Sequence, residues 1–206
     1  MQTSYSQLGQ DTKVVEFYKG KRGGYFVEIG ASDGIRYSNT YLLEKEYEWK
    51  GICVEPVPSR FELLCKNRPG SSCDPSAVCK ESHQHVEFDI AHSCDLFSGI
   101  REHIDRHKEY VEKNKTTISV PTLSFQDLLD KYNAPSFIDY LSLDTEGSEL
   151  EILSSVDLSR YTFGLLDVEH NFVEPRRSQI RELLLQNGYE YIGENKYDDM
   201  YRYKNM

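Results

Sequence analysis

A short glycine-containing turn follows the first strongly apolar stretch of the chain. The stretch Tyr25–Ile29 runs directly into residues 30–34, which read GASDG, and Glu28 stands near its end. Glycines at such a turn let the backbone approach a ligand closely and expose N–H groups toward it. The spacing is G-x-x-x-G and not the G-x-G-x-x-G of dinucleotide-binding proteins, so the turn predicts a ligand other than a pyrophosphate.

The second apolar stretch, residues 51–54, ends in a carboxylate, Glu55. A carboxylate at this place can accept hydrogen bonds from both hydroxyls of a ribose. Glu28 would repel a pyrophosphate, but it can pair with an ammonium group. A ribose together with an ammonium group describes an adenosine joined to an amino acid. We therefore expect S-adenosylmethionine as the cofactor.

Four ionisable side chains follow two later apolar stretches. Asp144 and Glu146 come after Phe137–Leu143, and Glu169 and His170 follow the next stretch, residues 163–168. Because ligands gather at the carboxyl ends of parallel strands, we expect these groups to converge on one cleft. An alcohol is a poor nucleophile at neutral pH, so a positioned base helps its reaction.

These four groups allow three interpretations. His170 has a suitable unperturbed pKa of about 6.5 and is the favoured base, with Asp144 or Glu146 orienting it or binding acceptor hydroxyls. Alternatively, Asp144, Glu146 and Glu169 hold a divalent cation, Mg²⁺ or Mn²⁺, since hard cations take oxygen ligands. The plainest interpretation is that Asp144 and Glu146 only cap the helix that begins near Gly147.

Several further motifs bear a resemblance to one known family. The chain resembles the FkbM family of S-adenosylmethionine-dependent O-methyltransferases in these segments: VEIGASDG (27–34), SNTYLLE (38–44), WKGICVEP (49–56), SGI (98–100), VPTLSFQDLL (120–129), IDYLSLDTEGSELEIL (138–153), DVEH (167–170) and DDMY (198–201). The most specific of them is DTEGSE, in which Thr145 replaces the small apolar residue common in the family. Small stand-alone members resemble glycan-modifying enzymes, including some encoded by large algal viruses.

The resemblance implies a set of residues around the cofactor. Carried over position by position, the implied cofactor-binding residues are Glu28, Gly30, Ser32, Asp33, Gly34, Asn39, Glu55, Pro56, Ser76, Ala77, Ser98 and Asp144. Within this set, Glu55 would hold the ribose, Ser76 and Ala77 would contact adenine, and Ser98 would close over the methyl donor.

The resemblance also implies methyl transfer to a hydroxyl, most often on a sugar or another small polar acceptor. A catalytically silent binding module and a nucleic-acid methyltransferase of the same fold are the alternatives. The chain has 34 acidic and 24 basic residues and a formal charge of −10, which argues against a nucleic-acid partner. We therefore expect a small-molecule or glycan acceptor, no nucleic acid and no membrane. The oligomeric state stays open.

The elements that would position these residues alternate between strands and helices, which is typical of a parallel sheet covered on both faces. The apolar patterns predict strands at residues 25–29, 51–54, 86–90, 137–143 and 163–168, helices at 38–46, 58–67, 99–115, 124–132, 148–155 and 174–187, and a final antiparallel pair at 189–192 and 200–203. The fold class expected is α/β, a Rossmann-like class I methyltransferase with a mostly parallel seven-stranded sheet, helices on both faces and a helical insertion.

One domain is expected over residues 1–206, with an N-terminal extension at 1–23 and a helical insertion or lid at about 91–119. The charges of residues 99–115 are typical of a solvated helix face, on which His103 and His107 would be exposed. The five cysteines are odd in number and lack C-x-x-C spacing, so neither a disulfide framework nor a zinc site is expected. A reducing, cytoplasmic location is the corresponding expectation.

Overall fold

A computed structural model describes residues 3–92 and 95–206 of the chain. Its α-helices, in chain order, are α1 Gln10–Phe17, α2 Tyr41–Tyr47, α3 Pro58–Asn67, α4 Lys108–Lys113, α5 Phe125–Lys131, α6 Glu149–Ser154 and α7 Arg176–Gln186. Its strands are β1 Tyr25–Ile29, β2 Lys50–Val54, β3 Ser72–Asp74, β4 Ala77–Cys79, β5 His85–Ala91, β6 Gly99–Ile100, β7 Lys115–Ser124, β8 Phe137–Leu143, β9 Thr162–Glu169, β10 Tyr189–Asn195 and β11 Asp198–Tyr203.

Seven strands form the main sheet in the order β10-β11-β9-β8-β1-β2-β3. Strand β1 is parallel to both of its neighbours, β2 and β8, and β9 is parallel to β8. Strand β11 pairs antiparallel with both of its neighbours, β9 and β10. The carboxyl ends of β1, β2, β8 and β9 therefore meet at one edge, as the strand pattern predicts.

Apolar clusters cover both faces of this sheet. On one face Val27 and Ile29 of β1 pack with side chains of α5, α6 and α7. On the other face Phe26 packs with Val14 of α1, Leu43 of α2 and side chains of α3. Because both faces are covered, the central strands are nearly continuous apolar runs rather than alternating ones. The expected fold class is confirmed.

The region expected as a long helix over residues 99–115 is mostly not helical. It contains strand β6, turns and only the short helix α4, and β7 begins at Lys115. Strands β4, β7, β5 and β6 form a second, four-stranded sheet. The charged residues pair across strands instead of along a helix face: both Arg101 and Lys115 bind the buried carboxylate of Asp89. Within residues 95–119 of the expected insertion, strands are therefore formed only at 99–100 and 115–119, with turns and α4 between them.

The N-terminal segment contributes a helix that the sequence patterns did not predict. The carboxylate of Asp11 accepts hydrogen bonds from the Ser4 and Ser6 hydroxyls and from the backbone N–H of Tyr5. These bonds fold the segment before α1 back onto the helix, and Val14 is buried in the core of the sheet. The N-terminal residues 3–17 are therefore an integral part of the packed structure.

Four of the five cysteines lie within the described residues, and all four are free thiols (Cys53, Cys65, Cys73 and Cys79). Cys94 lies outside the described residues. Across residues 3–92 and 95–206, none of the helices has the length and apolar character needed to cross a bilayer.

Candidate active site

A cleft of about 250 Å³ opens at the carboxyl edge of β1, β2, β8 and β9. Ten of the residues predicted from the sequence line it: Gly30, Ser32, Asn39, Glu55, Pro56, Ala77, Ser98, Asp144, Glu146 and Glu169. The expected convergence of the strand-end residues is therefore observed for Asp144, Glu146 and Glu169. Glu28, Asp33, Gly34, Ser76 and His170 lie outside the lining.

Gly30 allows the turn after β1 to pass close to the neighbouring strand β8. Its φ is +91°, and a Cβ built on it would lie 1.9 Å from the carbonyl oxygen of Asp144. The backbone N–H of Gly30 donates to Val54 O over 3.1 Å, and the N–H of Asp144 donates to Ile29 O over 3.1 Å. Only glycine fits between these strands, so the turn is fixed on the floor of the cleft.

Glu55 is held at the cleft wall by two backbone N–H groups. Its Oε2 accepts from Ser32 N at 2.9 Å, and its Oε1 accepts from Val57 N at 2.7 Å. One bond comes from the glycine turn and the other from the residues before α3. The carboxylate is therefore preorganised at the place where the sequence predicted a ribose contact.

Glu28 is buried behind the glycine turn and not in the cleft. Its carboxylate accepts from Asn39 N at 2.6 Å and from the Thr40 hydroxyl at 2.7 Å, and it pairs with Arg68 Nη1 at 3.4 Å. The geometry does not support the expectation that Glu28 meets a cofactor ammonium group. Its charge is already balanced inside the protein by the Arg68 guanidinium.

Arg68 was missed by the sequence interpretation, because an arginine at the end of an amphipathic helix is ordinarily exposed. Its side chain is fully buried and binds Glu44 Oε2 at 2.7 Å as well as Glu28. It also donates to the carbonyl oxygen of Gly34 and to the Thr40 hydroxyl. Arg68 thus connects the turn after β1 with the segment before α2.

Three more of the predicted cofactor-binding residues lie outside the cleft lining, and each has a local structural contact in its own loop. Asp33 accepts from the backbone N–H groups of Ile35 and Arg36 and closes the turn. A Cβ on Gly34 would lie 2.6 Å from a Leu64 methyl carbon, so Gly34 is a packing site. Ser76 donates its N–H to the buried Asp74, and the neighbouring Ala77 is the residue that faces the cleft.

Asp144, Glu146 and Glu169 form a carboxylate cluster at the cleft floor, with one oxygen of each within 4.8 Å of the others. The backbone N–H of Glu146 donates to Glu169 Oε2 at 3.3 Å. Asn171 Nδ2 donates to Glu146 Oε2 at 3.2 Å, and His107 Nε2 lies 3.9 Å from the same oxygen. The carboxylate cluster is therefore assembled from β8, β9 and the residues that follow them.

Burial holds protons on this cluster. Asp144 is open to the cleft, but the surrounding protein removes water from it and raises its pKa to about 7, helped by the nearby charges of Asp198 and Glu149. Burial and the charge of Asp144 raise the pKa of Glu146 to about 9. The pKa of Glu169 lies well above its ordinary value for the same reasons. Uncompensated acidic groups of this kind favour a cationic ligand.

The carboxylate that binds the turn before α6 comes from a different residue from those expected as caps. Glu149, the first residue of α6, accepts hydrogen bonds from Thr145 N, the Thr145 hydroxyl and Gly147 N. Among the described residues, no backbone N–H group of α6 donates to Asp144 or Glu146. Glu146 has a φ of +58° and points into the cleft lining, an arrangement that a cap does not require.

His170 faces away from the cleft. Its side chain is 1% exposed, its Nδ1 accepts from Phe172 N at 2.9 Å, and its Nε2 lies 3.6 Å from Asp199 Oδ1. Asp199 is bound in turn by Arg177 and Arg181. Burial lowers the pKa of His170. The geometry therefore does not support His170 as the base, because no acceptor in the cleft would reach its ring.

A different histidine, His107, lines the cleft, although the helical interpretation placed it on a solvated face. Its ring stacks on Phe97 with 3.7 Å between the ring centroids, and burial lowers its pKa. Further lining residues missed by the sequence interpretation are Gln10, Arg106, Asn171, Tyr197 and Asp198. Asp198 lies in the DDMY motif and could have been found there; Gln10 has no sequence signal.

The strand order, the glycine turn and the acidic residue after β2 together define a class of protein, the Rossmann-like methyltransferases. The chain belongs to the FkbM methyltransferase family, since the family model described as the methyltransferase FkbM domain matches residues 28–191. S-adenosylmethionine is the methyl donor that this family implies.

Solved structures of methyltransferases align with this chain at low sequence identity. The N-terminal domain of human METTL16 aligns with a TM-score of 0.50 and 12% identity, covering 99% of this chain and 72% of that one. Precorrin-6y C5,15-methyltransferase from Geobacter metallireducens aligns with a TM-score of 0.48 and 12% identity, covering 94% and 87% of the two chains. A search of curated proteins found no match.

The cleft fits the implied cofactor. Glu55 offers carboxylate oxygens to a ribose, and Val57, Ala77 and Val78 give an apolar wall suited to a flat base. The acidic lining of the cleft, which includes Asp198, suits a ligand with cationic groups. The residues present therefore match a nucleoside joined to a positively charged amino acid.

Proposed function

We propose that the protein transfers a methyl group from S-adenosylmethionine to a hydroxyl of a sugar or glycan. The observation that carries this proposal is the carboxylate cluster of Asp144, Glu146 and Glu169 at the cleft floor. Such a cluster can bind hydroxyl groups and can accept the proton that an alcohol must lose.

The bound cofactor supplies an electrophilic methyl group on a sulfonium sulfur, which leaves as a neutral thioether. Transfer would form a C–O bond to the acceptor oxygen and break the C–S bond, whose electron pair would stay on sulfur. Asp144 accepts the hydroxyl proton. The cleft would have to hold the acceptor oxygen in line with the breaking bond, and such positioning can account for much of the rate of a displacement.

Asp144 suits the role of base better than its neighbours. A base is most effective when its pKa lies near the working pH, and the pKa of Asp144 is about 7. The pKa of Glu146 is about 9, so at neutral pH Glu146 is protonated and can donate a hydrogen bond to the acceptor. Two carboxyl groups with separated pKa values can thus divide the acid and base roles.

Two properties of the cleft support a sugar as the acceptor. Carboxylate oxygens bind vicinal hydroxyls well, and the rings of Tyr37 and Tyr197 in the cleft lining offer flat apolar surfaces. The acidic lining and the net charge of −10 oppose the approach of a polyanion such as RNA.

A divalent cation bound by the same three carboxylates is a second candidate for activating the acceptor. Three oxygens within 4.8 Å of one another suit an Mg²⁺ or Mn²⁺ ion, and a bound cation would relieve their mutual repulsion. Turnover measured with EDTA and with added magnesium or manganese separates the two candidates, because a carboxylate base works without metal.

The variant Asp144→Asn tests the proposal. With labelled S-adenosylmethionine and a panel of neutral methyl glycosides, we expect turnover to fall about 10²- to 10⁴-fold because the base is lost. The rise of kcat with pH near 7 should disappear with it. Asp157→Asn, a change of the same type at an exposed position, should keep both the turnover and the rise of kcat with pH. Unchanged turnover and pH profile in Asp144→Asn would overturn the assignment of the base.

A further inference from the structure

Because Glu28 is paired with Arg68, other residues must bind the amino-acid end of the cofactor. Glu28 is 3% exposed, it has a buried cationic partner, and it does not line the cleft. The ammonium group of the cofactor needs acceptor oxygens that face the cleft and have no cation of their own. One such carboxylate, Asp198, belongs to a segment outside the matched FkbM region, and it is held by Gln10 of a second such segment.

The first of these segments is the N-terminal one. Gln10, the first residue of α1, is 4% exposed and lines the cleft. Its Oε1 accepts from Leu8 N at 2.9 Å, which fixes the carboxamide, and its Nε2 donates to Asp198 Oδ2 at 2.7 Å. The carboxamide thus holds the carboxylate of Asp198 in one orientation.

The second segment is the beginning of β11. Asp198 pairs in register with Glu169 of β9, which places it at the same edge of the sheet as the carboxylate cluster. It is 7% exposed and lines the cleft, and across the described residues no ion pair is formed by its carboxylate. The next residue, Asp199, faces the other way and is bound by Arg177 and Arg181.

A second acceptor lies on the segment before α2, within the matched region. Asn39 donates from Nδ2 to the Ser142 hydroxyl at 2.9 Å, while its Oδ1 is buried without a hydrogen-bond partner among the described residues. A buried carbonyl oxygen without a donor is costly unless a ligand satisfies it. Asn39 also lines the cleft.

We propose that Asp198, held in place by Gln10, and Asn39 Oδ1 form the subsite for the ammonium group of the cofactor. The carboxylate balances the charge of the ammonium group, the Asn39 oxygen accepts a second N–H, and Gln10 is a positioning residue. The inference rests on the proposed function only through the identity of the cofactor, because the acceptor plays no part in it.

Calorimetric titrations with two ligands test this subsite. S-adenosylhomocysteine carries the amino-acid end, whereas 5′-methylthioadenosine has the same nucleoside and sulfur without it. We expect Asp198→Asn to weaken S-adenosylhomocysteine binding about 10- to 100-fold, the usual effect of losing a charge-assisted hydrogen bond, and to leave methylthioadenosine binding unchanged. Gln10→Met should cause a smaller loss of the same selective kind.

Two controls keep the result interpretable. Glu55→Gln should weaken the binding of both ligands, because both contain the ribose. Asp199→Asn, the same change one residue away, should alter neither affinity. If Asp198→Asn weakens the binding of both ligands equally, or of neither, the proposed ammonium subsite is refuted. Should Asp198→Asn unfold, Gln10→Met still decides by the same comparison. Selective loss in these titrations with no methylated sugar product would retain the subsite and reject only the proposed acceptor.

Discussion

At the scale of single residues, the site depends on buried charges that the sequence shows only in part. Glu55 and the carboxylate cluster lie where strand ends predict them, because every parallel strand delivers its last residues to the same edge. The direction in which a side chain points after the strand ends is set by tertiary packing. For that reason His170 could be expected in the cleft, although its ring turns toward Asp199.

Arg68 provides a prediction at this scale. Removing its guanidinium in Arg68→Met leaves Glu28 and Glu44 without their buried partner, so we expect a loss of about 3–5 kcal/mol in the free energy of unfolding. The double variant Glu28→Gln/Arg68→Met should recover part of this loss, since one unpaired charge is removed. Chemical denaturation followed by circular dichroism measures both.

The exposed ion pair of Arg22 and Glu48 offers the matched control for the Arg68 substitution. Arg22→Met should change stability little, because solvent screens both of these side chains. If Arg68→Met were as stable as Arg22→Met, the view that Arg68 holds the turn and the segment before α2 together would be refuted.

At the scale of elements, six strands of the main sheet were predictable from their patterns, whereas the three-residue strand β3 was not predicted. Most helices were found within a few residues. The structure of region 99–115 was not predictable, because mixed charges favour an exposed helix unless the cross-strand partners are known. Asp89 on β5 supplies those partners to Arg101 and Lys115. Helix α1 was also missed, since its anchor, Asp11, looks like any surface acid in the sequence.

The close approach of the turn after β1 to β8 gives an element-scale prediction. In Gly30→Ala the new Cβ would meet the Asp144 carbonyl oxygen at 1.9 Å, so the turn and β8 must separate. We expect a lower Tm and a loss of S-adenosylhomocysteine binding of at least about tenfold. Gly23→Ala is the control, because Gly23 has a similar φ of +68° with nothing within 4 Å. Equal effects of the two substitutions would contradict the proposed close contact.

At the scale of the whole molecule, the cleft concentrates acidic groups in a protein that is already negative. The folded state raises the pKa of Asp144, Asp167 and Glu146 above the values near 4 that these groups have in an unfolded chain. The folded state therefore binds more protons than the unfolded state between about pH 4 and 9. Stability contributed by these groups is lost as the pH rises through that range.

The pH dependence of unfolding tests this balance. Above about pH 6.5, where histidine protonation no longer opposes the trend, we expect the Tm of the ligand-free protein to fall by several degrees up to pH 9. Glu146→Gln should flatten this fall, because its side chain has no proton to lose. Glu62→Gln, at an exposed position, should not. A wild-type Tm that is constant or rises from pH 6.5 to 9 would show that the cluster is not protonated in the folded state.

The central claim is that the chain methylates a hydroxyl group of a sugar, and the nature of the methylated product tests it most directly. The purified protein would be incubated with ¹³C-methyl S-adenosylmethionine and, in parallel, neutral methyl glycosides and a structured RNA. Nuclear magnetic resonance would then identify the atom that carries the label. The account predicts a sugar methyl ether, formed by the wild type and lost in Asp144→Asn. Label on a nitrogen atom or on the RNA, with unmodified sugars, would contradict it.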